Sequence, residues 1–270
     1  MLVVTAVTLL LLCNGQLPNR VYQIMAGTAS DAPCVGAVTL AVIGDFGEAG
    51  QPEADVANLV HSWNVDYVLT TGDNNYPNGA ASTIDANIGQ YYQQYIGSYT
   101  GSYGPGAAQN RFFPVPGNHD WNSTNLQPYL DYFSLPGNER YYEIELGPVH
   151  LFALDSDSRE PDGRTATSTQ AAWLQNALAT SSAPWKLVTL HHPPYSSSST
   201  HGSDPTMQWP FAAWGATAVL AGHDHTYERL LQDGIPYFVN GLGGRSLYPL
   251  GTPLPGSVVR YNLDYGAMCL

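Results

Sequence analysis

The chain has 270 residues, 44% of them hydrophobic and 11% charged, and its 9 Lys and Arg against 22 Asp and Glu give a formal net charge of −13. That is apolar material for one sizeable core, so a single main domain is expected. So acidic a surface repels nucleic acid and anionic membranes, and phosphate chemistry would need a local positive charge that a metal can supply.

The apolar run Leu2 to Leu12 has the length of a signal-peptide core and is too short to span a bilayer. Gly27-Thr28-Ala29 is a small-residue cleavage site. Residues 1–29 therefore read as a signal peptide, which implies a secreted, extracellular or periplasmic protein. No basic residue precedes the run, so a buried apolar segment or an incomplete start is the alternative. No other stretch could cross a membrane, and stable membrane insertion is not expected. Residues 30–37 read as a linker and residues 38–270 as the main folded domain. Cys13 would leave with the signal peptide; Cys34 and Cys269 either pair or stay as thiols.

Beyond the linker, VTLAVIGD is a short apolar strand ending at Asp45. Pro52 and Glu53 open a helix with Val56, Leu59, Val60 and Trp63 on its apolar side. DYVLTTGD is a second strand, ending at Asp73. The spacing predicts an amphipathic helix over Ser82 to Tyr95, with Ile84, Ile88, Tyr91 and Tyr95 on one side. RFFPVPGNHD is a strand broken by prolines and ending at Asn118. YYEIELGPVHLFALDSD reads as a hairpin turning at Gly147-Pro148, and Ser168 or Thr169 caps the next helix. WKLVTLHH ends a strand at His191, ATAVLAGHDH ends one at His223 and His225, and RLLQDGIPYFVNG is a hairpin turning at Asp233-Gly234. Strands alternating with helices imply parallel pairing and a layered α/β sandwich: two mixed β-sheets flanked by helices.

Five of these strands end in a residue of metal-ligand type: Asp45, Asp73, Asn118, His191 and the His223/His225 pair. The carboxyl ends of strands are where sites form in open α/β sheets. Each signal alone is weak, because GDFG, GDNNY and GNHD occur in ordinary turns. Their conjunction in this order gathers carboxylates, an amide and imidazoles, a donor set for two ions of intermediate hardness. Asp155 and Asp157 also end a strand and read as structural capping.

The ordered set Asp45-x-Gly47, Gly72-Asp73-x-x-Tyr76, Gly117-Asn118-His119-Asp120, His191 before Pro193, and Gly222-His223-x-His225 resembles the calcineurin-like metallophosphoesterases. Tyr76 and GHDHTYER resemble the purple acid phosphatases within them. The resemblance implies a dinuclear metal site at the strand ends. Asp73 would bridge both ions. Asp45, Tyr76 and His225 would complete an Fe(III) site. Asn118, His191 and His223 would complete a site for Fe(II), Zn(II) or Mn(II). His191 is chosen over His192 because its distance to Pro193 matches the family's spacing. His119 would reach the phosphate, Asp120 would orient it, and His201 would be a second phosphate-side histidine.

The implied activity is acid hydrolysis of a small-molecule phosphate monoester by in-line attack of a metal-bound hydroxide. Protonated histidines donate better, so an acidic optimum is expected. A dinuclear phosphodiesterase or nucleotidase of the same superfamily is the alternative, and an inactive metal-binding surface module the remote one. The pattern departs from the family at Asp120, where Glu is common. It departs again at the terminal RYNLDYGAMCL, where relatives continue into further strands, so a chain cut short is one expectation.

Overall fold

The apolar runs assemble into two mixed sheets in the computed structural model, which describes residues 22–25 and 38–270. Apart from the backbone of Tyr22–Met25, the segment read as a signal peptide lies outside the described residues. So do the linker, Cys13 and Cys34, and with Cys34 any pairing to Cys269.

The five-stranded sheet runs β1 (Tyr22–Met25), β12 (Gly266–Cys269), β2 (Leu40–Ile43), β3 (Tyr67–Thr70), β4 (Phe112–Phe113). Within it β2, β3 and β4 are parallel, while β12 is antiparallel to β2. The seven-stranded sheet runs β11 (Ser257–Tyr261), β9 (Tyr227–Gln232), β10 (Ile235–Asn240), β8 (Ala218–Ala221), β7 (Trp185–Thr189), β6 (Val149–Ala153), β5 (Tyr142–Leu146). Its central strands β6, β7, β8 and β10 are parallel.

Strand periodicity sorts the side chains into three cores. Leu40, Val42 and Leu69 pack between the sheets against Leu151, Leu187 and Leu220. Their neighbours Ala41, Ile43 and Val68 face helix α1 (Gln51–Ser62), the helical run α2 (residues 81–95) and α3 (Gln127–Tyr132). On the far side Val188 and Val219 meet α4 (Thr169–Thr180) and α5 (Phe211–Trp214). The result is the expected sandwich of two mixed sheets between helices. Among the described residues no helix is long and apolar enough to cross a membrane.

Local signals act where the sequence places them. Ser168 Oγ accepts the Ala171 N–H at 3.2 Å and caps α4. Asp233 and Gly234 both turn with positive φ, 51° and 84°, as a two-residue hairpin loop requires.

Three elements differ from expectation. First, α2 carries a π turn over Asp85–Gly89, which rotates the chain beyond it. Tyr92 is therefore buried with Ile84, Ile88 and Tyr95, and Tyr91 only packs beside them. Second, β4 has two residues, because Pro114 and Pro116 lack the N–H that a longer ladder needs. Asn118 therefore sits in a loop beyond the strand. Third, β11 and β12 escape sequence reading. Strand β12 nevertheless fills the slot beside β2, with Ala267 and Met268 buried.

Candidate metal centre

Asp45, Asp73 and His223 lie just past the ends of β2, β3 and β8, and all three have left-handed backbone, with φ of 54°, 51° and 68°. Such conformations are costly for residues with side chains and recur at functional sites. Here each one turns a ligand-type side chain back over the sheet edge. Glycine makes the close approach possible. A Cβ on Gly72, itself at φ +91°, would stand 2.6 Å from His191 Nδ1, and one on Gly222 would stand 2.6 Å from Asp45 Oδ2.

Two groups of donor atoms converge, with Asp73 between them. In the first, Tyr76 Oη lies 3.0 Å from Asp73 Oδ2, 3.3 Å from Asp45 Oδ1 and 3.3 Å from His225 Nε2. In the second, His191 Nε2 lies 3.0 Å from Asn118 Oδ1, 3.1 Å from His223 Nδ1 and 3.4 Å from Asp73 Oδ1. Asp73 offers one oxygen to each group. The structure thus gathers all seven residues singled out as ligands.

Backbone carbonyls aim the imidazoles. His191 Nδ1 donates to the Thr71 carbonyl at 2.9 Å, and His225 Nδ1 donates to the Ser246 carbonyl. Each ring then points Nε2 into the centre, the arrangement that orients metal-binding histidines. Tyr248 stacks on His225, rings 3.9 Å apart at 9°. Asn87, within the π turn, donates to the Tyr76 carbonyl at 2.8 Å and accepts the Ala49 N–H at 3.1 Å. It therefore ties the Tyr76 loop to the loop after Asp45.

The electrostatics call for a cation. Burial pulls the Asp73 carboxyl upward, but the His191 and His119 rings outweigh it and hold it below the usual carboxylate range. Burial, then the Asp73 and Asp45 carboxylates, push the Tyr76 phenol well above its ordinary value. Burial opposes a charge on His191, yet Asp73 beside it wins and raises that ring to about 10. The proton recruited to His191 marks where positive charge is wanted. Two carboxylates, a phenol, an amide oxygen and three imidazoles, mostly buried and without a lysine or arginine among them, fit two cations of intermediate hardness.

Residues 38–227 match the calcineurin-like phosphoesterase family, more than half of the chain. The chain belongs to this family. The phosphoesterase is 24% identical over 244 residues to purple acid phosphatase 17 of Arabidopsis thaliana, covering 78% of this chain and 70% of that protein. It is 24% identical over 246 residues to tartrate-resistant acid phosphatase type 5 of Homo sapiens, covering 77% and 73%. With acid phosphatase type 7 of Mus musculus it shares 27% identity over 217 residues, and the match spans only 47% of that protein. Among solved structures it superposes on purple acid phosphatase PPD1 from yellow lupin (Lupinus luteus) seeds with a TM-score of 0.70 at 18% identity, over 93% of this chain and 51% of that one. It also superposes on GAP50, the anchor in the inner membrane complex of Plasmodium, with a TM-score of 0.65 at 16% identity, over 86% and 80%. At such identities the structural likeness shows the fold alone.

The candidate phosphate-side residues of this phosphoesterase stand around the two groups. His119 has its ring against Tyr76, centroids 4.4 Å apart, and its Nε2 lies 3.9 Å from Asp73 Oδ2. Its Nδ1 donates to the Pro77 carbonyl. The expectation that Asp120 orients His119 is not met. Asp120 is buried, and its Oδ2 accepts from the Gly117 N–H at 2.8 Å and from the Asn74 side chain at 2.8 Å. It locks the two ligand loops together, and Pro77 orients His119. The exposed His201 ring stacks on His223 at 4.1 Å.

Two arginines near the centre escaped sequence reading. Arg159 donates to the Asn118 carbonyl at 3.0 Å, and Arg245 lies over the Tyr76 ring at 5.1 Å. Asp155 and Asp157 are structural: Asp155 accepts the Trp121 indole N–H at 2.9 Å, and Asp157 pairs with Arg159.

Proposed function

We propose that this phosphoesterase is an exported acid phosphatase that hydrolyses small phosphate monoesters. Asp45, Asp73, Tyr76 and His225 would hold Fe(III); Asp73, Asn118, His191 and His223 would hold Fe(II), Zn(II) or Mn(II). When bound, the two ions supply Lewis-acid polarisation of the ester and a water acidified to react at mild pH.

The chain's own side chains do the rest. Asp73 holds both halves of the centre in register, because its two oxygens face different groups. His119 gives Nδ1–H to Pro77, so its Nε2 donates to a phosphoryl or leaving-group oxygen only when the ring carries a second proton. His201, exposed and stacked on His223, would be the second histidine to face the phosphate. Export rests on the apolar run Leu2 to Leu12.

The observation that carries this reading is the Tyr76 hydroxyl held between two carboxylates and His225. A phenol in that position serves little purpose unless a strong Lewis acid takes it as phenolate, which Fe(III) does. The test is phosphate release at mildly acidic pH from an aryl monoester and the matching diester, on iron-loaded protein. Monoester turnover well above diester turnover, with a visible charge-transfer band lost in Tyr76→Phe, is the expected result. Preference for the diester would assign the chain to the phosphodiesterase branch. Metal binding without turnover of either ester would sink the enzymatic reading.

A further inference from the structure

His192 follows a ligand-type histidine yet serves none of the roles above. Its Nδ1 lies 2.9 Å from Ser156 Oγ. The same oxygen accepts the backbone N–H of His191 at 3.2 Å and of His192 at 2.8 Å. Two donors fill the two lone pairs of the hydroxyl, so its own hydrogen goes to Nδ1 of the imidazole. The uncharged ring must then carry its proton on Nε2, which has no acceptor among the described residues.

The ring stands at the edge of the centre, 4.5 Å from the His223 ring and 4.9 Å from the His191 ring. With His201, His223, Ser203 and Asp204 it lines a pocket of about 360 Å³. By distance alone His192 suits a metal, since one of its ring nitrogens lies within 4.8 Å of those of His191 and His223. The hydrogen bonds exclude that. A ligand nitrogen needs a free lone pair; the Ser156 hydroxyl occupies the one on Nδ1, and Nε2 bears hydrogen.

We propose that His192 is a substrate-binding donor of this site, presenting the Nε2–H of an uncharged ring to a phosphoryl oxygen, with Ser156 as the positioning residue that fixes the tautomer. This rests on the reading that a phosphate ester occupies the centre. An uncharged donor suits the place. A neutral N–H donates to the phosphoryl anion without adding positive charge beside the two cations.

The test uses zinc-loaded protein with inorganic phosphate as the probe, read by calorimetry beside monoester turnover. Long-range ¹H–¹⁵N NMR, with His192 assigned by difference against His192→Phe, should show Nδ1 unprotonated and Nε2 protonated, a preference that Ser156→Ala relaxes. His192→Phe should keep the metal content of the wild type and weaken phosphate binding by about tenfold or more, with a matching fall in kcat/KM. His192→Gln, whose amide N–H reaches the place of Nε2, should recover most of that loss. Unchanged phosphate affinity in His192→Phe, loss of a metal ion from it, or an Nδ1-protonated ring in the wild type would each overturn the proposal. Wild-type protein that binds phosphate but turns over no monoester would overturn the acid-phosphatase reading, and the phosphate arm would still decide His192.

Discussion

Glu53 lies in the first turn of α1, fully buried, and neither carboxyl oxygen has a hydrogen-bond partner. Two effects compete there. The helix N-terminus favours a negative charge by roughly 0.3–1 kcal/mol. Burial of an unpaired carboxylate costs several kcal/mol, so it wins. Burial first, and the charge of Glu48 second, push Glu53 well above its ordinary value of 4.5. The sign follows from linkage. A carboxyl whose folded pKa is raised contributes full stability below its unfolded value and loses it as pH rises toward the folded value. The loss runs at about 1.4 kcal/mol for each pH unit above the unfolded value, until the folded value is reached.

Glu53→Gln keeps the shape and removes the titration. The variant should therefore match the wild type at about pH 4 and become steadily more stable than it as pH rises toward neutrality. Denaturant unfolding of both proteins across that range measures the difference. A constant difference at every pH would show that Glu53 holds the same proton folded and unfolded, and would refute the reasoning. Asp155, also fully buried, is pushed the same way by burial and by Glu160. These two carboxyls therefore contribute most on the acid side, whereas Asp73 and Asp157, held low by their partners, contribute above it.

Other outcomes follow from single contacts. A Cβ on Gly117 would stand 2.2 Å from Asp73 Oδ1, so Gly117→Ala should displace the Asp73 carboxylate and weaken metal binding roughly 10–100-fold, read by metal stoichiometry with the fold checked by circular dichroism. Phe112 stacks on Phe133 at 5.8 Å and meets Phe46 and Tyr92 edge-on or tilted, so Phe112→Ala should lower unfolding free energy by about 3–5 kcal/mol. Chelation should lower the melting temperature and added iron with zinc should restore it, because buried Asp45 and Asp73 lose their counter-charge; an unchanged melting temperature would mean no metal was held there.

Much of this was legible in the sequence, for a physical reason. Strands β2 and β8 are fully buried and read as unbroken apolar runs, while β3 and β7 are buried toward their ends and are interrupted only by Lys186 and threonines; a ligand-type residue follows each where the chain leaves the sheet. That is why Asp45, Asp73, His191 and His223 stood out. What was missed lacks such a contrast. Strand β11 is a sheet edge with Val258 exposed, and GAMC has no alternation to read. The carbonyls of Thr71, Ser246 and Pro77 aim three histidines, and a backbone carbonyl leaves no mark on residue identity. Spacing to Pro193 was the sole signal separating His191 from His192. In the fold the separation comes from their partners: a carbonyl on one Nδ1, a hydroxyl on the other.

The left-handed backbone at Asp45, Asp73 and His223 shows how the two sheets are made to share one centre. Each such residue costs about 1–3 kcal/mol unless its surroundings fix it. Here the fixing bonds run between loops. The His223 N–H donates to Asp45 Oδ2 at 2.9 Å, joining a loop of the seven-stranded sheet to one of the five-stranded sheet. The His119 N–H donates to Asp73 Oδ1 at 2.9 Å, and the Asp45 N–H donates to the Gly72 carbonyl at 3.0 Å. The two carboxylates of the candidate centre are thus also the acceptors that hold the strained loops. Asp45→Asn and Asp73→Asn should therefore cost stability even in metal-free protein, by about 1–2 kcal/mol each, since a neutral amide oxygen accepts more weakly than a carboxylate. If instead both variants stabilised the metal-free protein, repulsion between the crowded carboxylates would outweigh these bonds, and the centre would depend on its cations for its shape as well as its chemistry.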